Sequence, residues 1–395
     1  MQGSAHVVAP TADSVEGTRR RRMMQARSPH EPHRASTPLE LLFDLVFVVA
    51  IAEAGSGLHH ALAEGHVADG LVGYVMVFFA IWWAWMNFTW FASAYDCDDV
   101  PYRLATFVQI TGALIFAAGV PAMFETHLPG VAAVGGYVVM RVAMVAQWLR
   151  AAASDPPHRR TALRYVAGIS LLQAAWVGVL FLPASLVLPA FVTLVVLEMS
   201  VPVWAERVAM TTWHPHHIAE RYGLLTLIVL GESVASATAA IQSALAGGAH
   251  VKSLLPVIAG GLLIVFSLWW VYFDRPVADL LTSLRKAILW GYGHYVIFAS
   301  VAAVGAGLSV AVDQASGRAE VGVQAAGAAV AVPVAIYLVC LWLLHDRPEY
   351  GRTRLFGPMA AALILLTPFA PEPVLLTGAL LAAMIAGKLV VLRGR

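Results

Sequence analysis

Two glutamates stand deep inside apolar segments of this chain. Glu53 and Glu232 each lie roughly twelve residues into a hydrophobic run, and at ~1.5 Å rise per residue this puts a carboxylate near the middle of a ~30 Å hydrocarbon layer. An ionisable group is costly there, so its presence indicates a function. A carboxylate in that position could load and release a proton and couple that step to transport.

A structural role is the alternative, because buried charges in a helical bundle are usually paired. Arg141 lies near the middle of the fourth apolar segment and is an available cation, while Glu198, at a similar depth in the sixth, is a further possible partner. His294 is expected to be a buried hydrogen-bonding residue. The candidate substrate-binding or ion-binding residues are therefore Glu53, Glu232, Arg141, Glu198 and His294.

A second group of charges lies in loops and near helix ends. Acidic and basic residues follow the second apolar segment and recur after the eighth. This repetition favours ion pairs inside the protein that join helices and that break during a conformational cycle. Solvated loop charges are the alternative. The candidate gating or structural charges are Asp44, Asp99, Arg103, Glu220, Arg221, Asp274 and Arg285.

The run His214-Pro-His216-His217-Ile-Ala-Glu220 leads into the seventh apolar segment. Its His-x-x-Glu pair would face one way on a helix and could hold a divalent metal. The run lacks the second histidine, at helical spacing, that a zinc-protease motif needs. This favours a structural role for Glu220 as an acidic residue at the amino-terminal end of a helix, where the helix dipole stabilises negative charge. We expect Arg221 at the level of the lipid headgroups. We predict no metal or other cofactor.

Long apolar helices must position all of these residues. Apolar residues make up 59% of the chain and charged residues 12%, against roughly 45–50% and 25% in soluble domains. This composition predicts an all-α polytopic membrane protein with the lipid bilayer as its partner, and nucleic acid is not an expected partner. Apolar runs of sufficient length predict twelve spans, with ten or eleven as alternatives: 40–62, 70–93, 102–124, 130–152, 162–182, 185–204, 221–244, 253–273, 286–310, 321–344, 355–371 and 373–391.

Basic residues predict the orientation of these spans. If the amino terminus is cytoplasmic, all but three of the 25 lysines and arginines fall at cytoplasmic positions, the exceptions being Arg141, Lys252 and Arg318. Both termini are therefore expected in the cytoplasm. Residues 1–38 are rich in arginine, serine and proline, and are predicted to be a disordered basic tail.

The spans predict an internal duplication of six helices. The segment Phe79-Ala-Ile-Trp82-Trp83-Ala-Trp85 returns as Phe266-Ser-Leu-Trp269-Trp270-Val-Tyr272, and a shift of 179 positions places Glu53 on Glu232. Six spans per copy would give two parallel repeats, residues 39–208 and 209–395, with chance similarity as the alternative. The tryptophans are expected in an interfacial belt.

Three segments resemble a known family. They are Glu40-Leu-Leu-Phe43-Asp44-Leu-Val-Phe47, the stretch through Trp82 and Trp83, and His217-Ile-Ala-Glu220-Arg221-Tyr222-Gly223-Leu-Leu-Thr-Leu-Ile-Val-Leu-Gly231-Glu232-Ser233. In these motifs the chain, from about residue 38 to 390, is similar to the bacterial low temperature requirement protein A family. The resemblance implies a bacterial cytoplasmic (inner) membrane location and no known cofactor or substrate.

The leading functional hypothesis is a secondary transporter or permease, proton-coupled through Glu53 and Glu232. It would move a small solute or a proton by rocking of the two halves, and its oligomeric state stays open. One alternative is a membrane-embedded enzyme acting on lipid, for which His217 and Glu220 are the available groups. The other is a non-catalytic cold or stress membrane protein.

Overall fold

The computed structural model describes residues 23–28, 31, 34–126, 128–346 and 354–393. Within these ranges the chain is almost entirely helical and contains no β-strand. The prediction of an all-α polytopic membrane protein is confirmed. Most of the predicted basic tail, residues 1–22, 29–30 and 32–33, lies outside the described residues.

The described residues form twelve α-helices. In chain order they are α1 (Pro38–Ala63), α2 (Val67–Tyr95), α3 (Val100–Thr126), α4 (Val131–Ser154), α5 (Arg159–Val179), α6 (Ala184–Glu206), α7 (Pro215–Ala246), α8 (Val251–Phe273), α9 (Leu284–Ala315), α10 (Val323–Leu341), α11 (Phe356–Ile364) and α12 (Pro373–Arg393). Among them, all except α11 are long and apolar enough to cross a bilayer.

The eleventh predicted span, 355–371, differs from the structure. It divides into α11, of nine residues, and a short 3-10 turn over Thr367–Phe369. Pro368 has no backbone N–H to donate, and the Thr367 hydroxyl donates to the carbonyl of Ile364 at 2.8 Å, so the helix ends there. The number of long apolar helices in the described residues is therefore eleven, which the sequence left open as an alternative.

A capping box starts α1. The Thr37 hydroxyl accepts a hydrogen bond from the backbone N–H of Glu40 at 3.3 Å, and the Glu40 carboxylate accepts from the backbone N–H of Thr37 at 2.8 Å. Pro38 follows as the first helical residue, where its missing N–H costs nothing. This arrangement holds the Glu40 side chain at the beginning of α1, where it is fully buried.

The chain forms two compact units. The first contains the described residues up to Glu31, together with Trp90–Ala113 and Val134–His214. The second contains the described residues of Pro32–Thr89, then Leu114–Ala133 and Pro215–Arg395. The segments of the two units alternate along the chain. The internal duplication into residues 39–208 and 209–395 stays a prediction.

Small residues allow the helices of the second unit to approach closely. On α9, a Cβ atom at Gly307 would overlap the carbonyl group of Ala329 on α10. On α7, by contrast, a Cβ atom at Gly231 would meet nothing within 4 Å. Small residues at helix contacts are typical of membrane bundles, because they let backbones come together.

We expect Gly307→Ala to destabilise the protein, because the Ala329 backbone cannot move away without separating α9 from α10. The cost should be about 1–3 kcal/mol, as for other overpacked sites. Thermal denaturation of the detergent-solubilised protein measures it. The matched control, Gly231→Ala in open space, should be neutral or gain about 0.5–1 kcal/mol of helix propensity. Equal melting temperatures for the two variants would contradict this packing.

Candidate functional site

A polar cavity of about 480 Å³ lies among the carboxyl-terminal halves of α1, α7 and α9, all in the second unit. Its lining combines one half-buried carboxylate, a carboxylate held in ion pairs, two histidines, one arginine and five serines. The polar residues are Glu232, Asp313, His59, His60, Arg318, Ser56, Ser233, Ser236, Ser243 and Ser309. Small side chains such as Gly55 and Ala306 leave the space that this cavity occupies.

Glu232 is the carboxylate of this cavity that forms no ion pair with any of the described residues. Ser236, one turn further along α7, donates its hydroxyl hydrogen to Oε1 of Glu232 at 2.8 Å. The other oxygen, Oε2, has no hydrogen-bond partner within the described part of the chain, and Glu232 has no ion pair there either. A half-buried carboxylate in this state can accept a proton or another cation from the cavity.

An ion-pair network lies at the end of the cavity where α1, α7 and α9 end. Asp313, near the end of α9, contacts Nε2 of His59 on α1 at 2.7 Å and Nη2 of Arg318 at 2.5 Å. The Arg318 guanidinium also donates to Oγ of Ser243 on α7 at 2.7 Å. The carboxyl-terminal ends of α1, α7 and α9 are therefore connected by side chains at this end of the cavity.

The opposite end of the same helices is closed by buried charges. Arg221 on α7 contacts both oxygens of Asp44 on α1, through Nη2 and through Nε at 3.0 Å, and contacts Oε1 of Glu40 through Nη1 at 3.1 Å. His217 contacts the same oxygen of Glu40 at 3.1 Å, and Trp85 on α2 donates Nε1–H to Asp44 at 2.6 Å. We call Glu40, Asp44, His217 and Arg221 the charge cluster; all four are fully buried.

Aromatic rings pack beside the charge cluster. Tyr222, the residue after Arg221, packs on Trp85 at a ring distance of 4.9 Å and on Phe298 at 5.9 Å. These three rings are almost completely buried. Glu232 lies eleven residues beyond Arg221 along α7, which at ~1.5 Å per residue is roughly 16 Å, so the charge cluster and the cavity lie at different depths along the same helix.

The structure corrects the expected position of Arg221. The sequence places this residue among lipid headgroups, but α7 begins at Pro215, six residues earlier than the predicted span, and Arg221 therefore lies in the second turn, fully buried. Glu220, the next residue back, accepts a hydrogen bond from the backbone N–H of Ser36 at 3.2 Å. Because Arg221 lies opposite two carboxylates of α1, its charge is balanced inside the protein.

Glu53 lines a different cavity, of about 590 Å³, among α1, α2 and α3. Its titratable lining residues are Glu53, Glu64, Asp69, Glu125, His60 and His66. The two cavities have Ser56 and His60 in common, but neither contains both Glu53 and Glu232. The two carboxylates that the sequence matched are thus brought into neighbouring cavities rather than into one site.

Arg141 and Glu198 lie in the first unit, where they pair with each other. Nη2 of Arg141 is 3.2 Å from Oε2 of Glu198 and donates to the hydroxyl of Tyr137 at 3.0 Å, while Trp176 donates Nε1–H to Oε1 of Glu198 at 3.2 Å. Both charged side chains are at most 3% exposed. This is the static ion pair that the sequence offered as an alternative, and it does not include Glu53 or Glu232.

His294 is buried in the second unit and lies outside both cavities. Its Nε2 is 3.0 Å from the hydroxyl of Tyr272, and its Nδ1 is 2.8 Å from the carbonyl of Trp290. The side chain therefore has a hydrogen-bonding role within the helix bundle.

The loop charges pair differently from the repeated ion pairs that the sequence predicts. In the first unit, Asp99 pairs with Arg150, and Arg103 pairs with Asp98 at 2.7 Å. In the second unit, Asp274 pairs with Lys388 at 2.6 Å rather than with Arg285. The two loops thus share a composition but not a pairing pattern.

Comparison with known proteins agrees with the three motifs. The family model of the bacterial low temperature requirement A protein (LtrA) matches residues 35–392, which includes every site described above. The chain belongs to this family. A relative from Rhizobium meliloti (strain 1021), described as an uncharacterized protein, is 29% identical to the LtrA-family chain over 304 residues, which covers 70% of each of the two chains.

The tryptophans of α2 in this LtrA-family chain do not form the predicted interfacial belt. Trp82, Trp83 and Trp85 are at most 2% exposed, whereas Trp269 and Trp270 on α8 are about 45% exposed. The α2 rings are buried because they pack on one another and on Tyr292, and because Trp85 donates to Asp44. The belt prediction is wrong for α2.

Cys97, in the loop after α2, should react slowly with maleimide. Burial raises the pKa of its thiol to about 11, so that only a small fraction is thiolate at neutral pH. In a Cys340→Ser background, the labelling rate should rise about tenfold per pH unit from pH 7 to 10. The exposed control Glu320→Cys, with Cys97 also replaced by serine, should label quickly at pH 7; comparable rates at neutral pH would contradict this prediction.

Proposed function

We propose that this LtrA-family membrane protein is a secondary transporter in which Glu232 binds a proton and a small solute occupies the cavity around it. The supporting observation is the cavity itself. Its volume of about 480 Å³ lies within the ~300–1,000 Å³ typical of small-molecule sites, and it contains a carboxylate without an ion-pair partner in the described residues. A carboxylate that only stabilised the bundle would be expected to be paired.

The charge cluster would act as the closed gate of this transporter. A carrier must expose its site to one side of the membrane at a time, and so it needs a seal that can form and break. Arg221 pairs with Asp44 and Glu40 at the end of α1 and α7 opposite to the cavity, which supports this role. Ion pairs and hydrogen bonds rearrange between discrete states, which suits a gate with two positions.

The direction of opening follows from the proposed orientation. If the amino terminus is cytoplasmic, as the basic residues predict, the first helix begins in the cytoplasm and the cavity at its other end faces outward. The charge cluster would then close the cytoplasmic side. Glu53, in the neighbouring cavity, is the second candidate for a proton-binding group.

The enzyme alternative has less support from the described residues. It needs His217 and Glu220 to face substrate together, but His217 is fully buried against Glu40, and Glu220 binds the backbone of Ser36. We therefore place the functional group of this protein at Glu232.

Flux measurements on the full-length protein reconstituted in liposomes test the proposal. A panel of amino acids, primary amines, guanidines, sugars and carboxylates is presented at both polarities of a pH gradient, and the internal content is quantified by mass spectrometry. A gradient of one pH unit stores about 1.36 kcal/mol, so coupled uptake should reach about tenfold accumulation.

The expected result is that at least one solute class accumulates and that a protonophore abolishes the accumulation. A folded, reconstituted protein that moves none of the panel at either polarity would overturn the proposal. Empty liposomes supply the background in both arms.

A further inference from the structure

We infer that the cavity takes a small organic cation of the primary amine or guanidine class, and that this cation and a proton bind at Glu232 in turn, so that they are exchanged across the membrane. This inference rests on the proposed transport function and adds the class of solute and the direction of coupling. The supporting observations are the directions of the hydrogen bonds in the cavity wall.

Three of the five serines of the cavity present acceptors rather than donors. Ser233 donates its hydroxyl hydrogen to the carbonyl of Val301 at 2.9 Å, Ser236 donates to Glu232 at 2.8 Å, and Ser309 donates to the carbonyl of Gly305 at 3.1 Å. A hydroxyl has one hydrogen and two lone pairs, so each oxygen has lone pairs left to receive an N–H group. This wall suits a solute that brings several N–H donors.

Arg318, the cation of the cavity, is already occupied. Its Nε donates to Ser316 at 3.2 Å, Nη1 donates to Ser243 at 2.7 Å, and Nη2 donates to Asp313 at 2.5 Å. An anionic solute would have to take the guanidinium from Asp313 and leave that carboxylate in a partly buried place, which is costly. The cavity therefore disfavours carboxylates and phosphates.

The formal charge of the cavity also favours a cation. Arg318 offsets Asp313, so Glu232 leaves one net negative charge when the histidines are neutral. The charge cluster lies at the other end of α1 and α7. In the carboxyl-terminal halves of α1, α7 and α9 that line the cavity, and in the nearby amino-terminal half of α8, the charged or titratable residues other than Glu232 are Glu53, His59 and His60 on α1, Lys252 on α8 and Asp313 on α9, with Arg318 just beyond α9. In the described residues none of them forms an ion pair with Glu232, so its carboxylate is the acidic group available to a solute.

Competition for one carboxylate leads to exchange. A proton on Glu232 removes the negative charge that holds the cation, and a bound cation disfavours the proton, so each ligand lowers the affinity for the other. A carrier whose site must hold one of the two before it changes conformation moves them in opposite directions. A symporter would instead need proton and solute to be bound together.

Proton release upon binding tests the competition directly. The full-length protein in weakly buffered detergent solution receives n-butylammonium or guanidinium chloride, adjusted to the same pH, and a pH-sensitive dye reports the protons set free between pH 5 and 8. Because the cation displaces a proton from Glu232, the number of protons released per cation bound should be largest at the acid end of this range and decline as the pH rises. Butanol and sodium butyrate, which match the alkyl chain without the positive charge, should release none.

Two matched variants distinguish proton release at Glu232 from proton release at other carboxylates of the protein. Glu232→Gln should lose the release, whereas Glu372→Gln, which removes an exposed carboxylate before α12, should behave like the parent. Release that persists in Glu232→Gln, or no release from the parent with either cation, would overturn the inference.

Flux distinguishes this inference from the transport proposal. Exchange predicts uptake of n-butylammonium or guanidinium into liposomes that are acidic inside, with protons leaving. Accumulation of a neutral solute into liposomes that are alkaline inside would keep the transporter and overturn the cation exchange. Absence of all flux would overturn the transport proposal, while proton release could still show the cation site.

Discussion

Glu232→Gln is expected to abolish pH-driven solute accumulation while leaving the protein folded. Glutamine preserves the shape of the side chain and can still accept the hydrogen bond from Ser236, but it cannot bind or release a proton. Accumulation in liposomes should fall from about tenfold per pH unit in the parent to the background of empty liposomes. Gel filtration and thermal denaturation of the same sample report the fold.

The comparison variants sharpen this prediction. Glu232→Asp keeps a carboxylate and should retain part of the flux, whereas Glu372→Gln should retain all of it. Glu53→Gln tests the neighbouring cavity: loss of flux there would add Glu53 to the proton path. Parent-like accumulation in Glu232→Gln would remove the proposed role of Glu232.

Arg221→Met is expected to destabilise the protein more than Gly307→Ala or any of the glutamate substitutions. The change keeps the length and apolar stem of the side chain but leaves Asp44 fully buried without its cation, while Glu40 keeps only Arg34, at 3.7 Å. Removing one partner of a buried ion pair typically costs about 3–5 kcal/mol. The fraction of monodisperse protein remaining after heating in detergent measures the effect.

An exposed ion pair provides the control for this effect. Arg103 and Asp98 are each more than 40% exposed, so Arg103→Met should cost at most about 1 kcal/mol. Neutralising the acid that loses its cation, in Asp44→Asn/Arg221→Met, should recover most of the stability, because Glu40 keeps its contact with the buried Arg34 at 3.7 Å. An Arg221→Met protein as stable as Arg103→Met would contradict the charge cluster.

The membrane-spanning helices could be predicted from the sequence because apolar length determines which segments can cross a bilayer. The family could be predicted because three sequence motifs resemble it. The exception, 355–371, contains Pro368, and its hydropathy does not reveal that the helix ends before this residue. The ion pair of Arg141 and Glu198 could be proposed as an alternative because two opposite charges at similar depth in a bundle stabilise each other when they meet.

The charge cluster is not predicted as a unit, although its spacing is visible in the sequence. Glu40 and Asp44 are four residues apart, as are His217 and Arg221, and such pairs share one face of a helix. Two acids on one helix and two basic groups on another suggest a pairing. What the sequence could not supply is that α1 and α7 are neighbours, because this depends on packing between segments far apart in the chain.

The most direct measurement of the central claim is the accessibility of position 232 from each side of the membrane. In a chain carrying Cys97→Ser, Cys340→Ser and Glu232→Cys, a membrane-impermeant thiol reagent is applied to oriented vesicles from one side and then from the other. We predict rapid modification from the side at which α1 and α7 end, and protection from the side of the charge cluster. Protection from both sides, or modification only from the side of the charge cluster, would contradict the open cavity around Glu232.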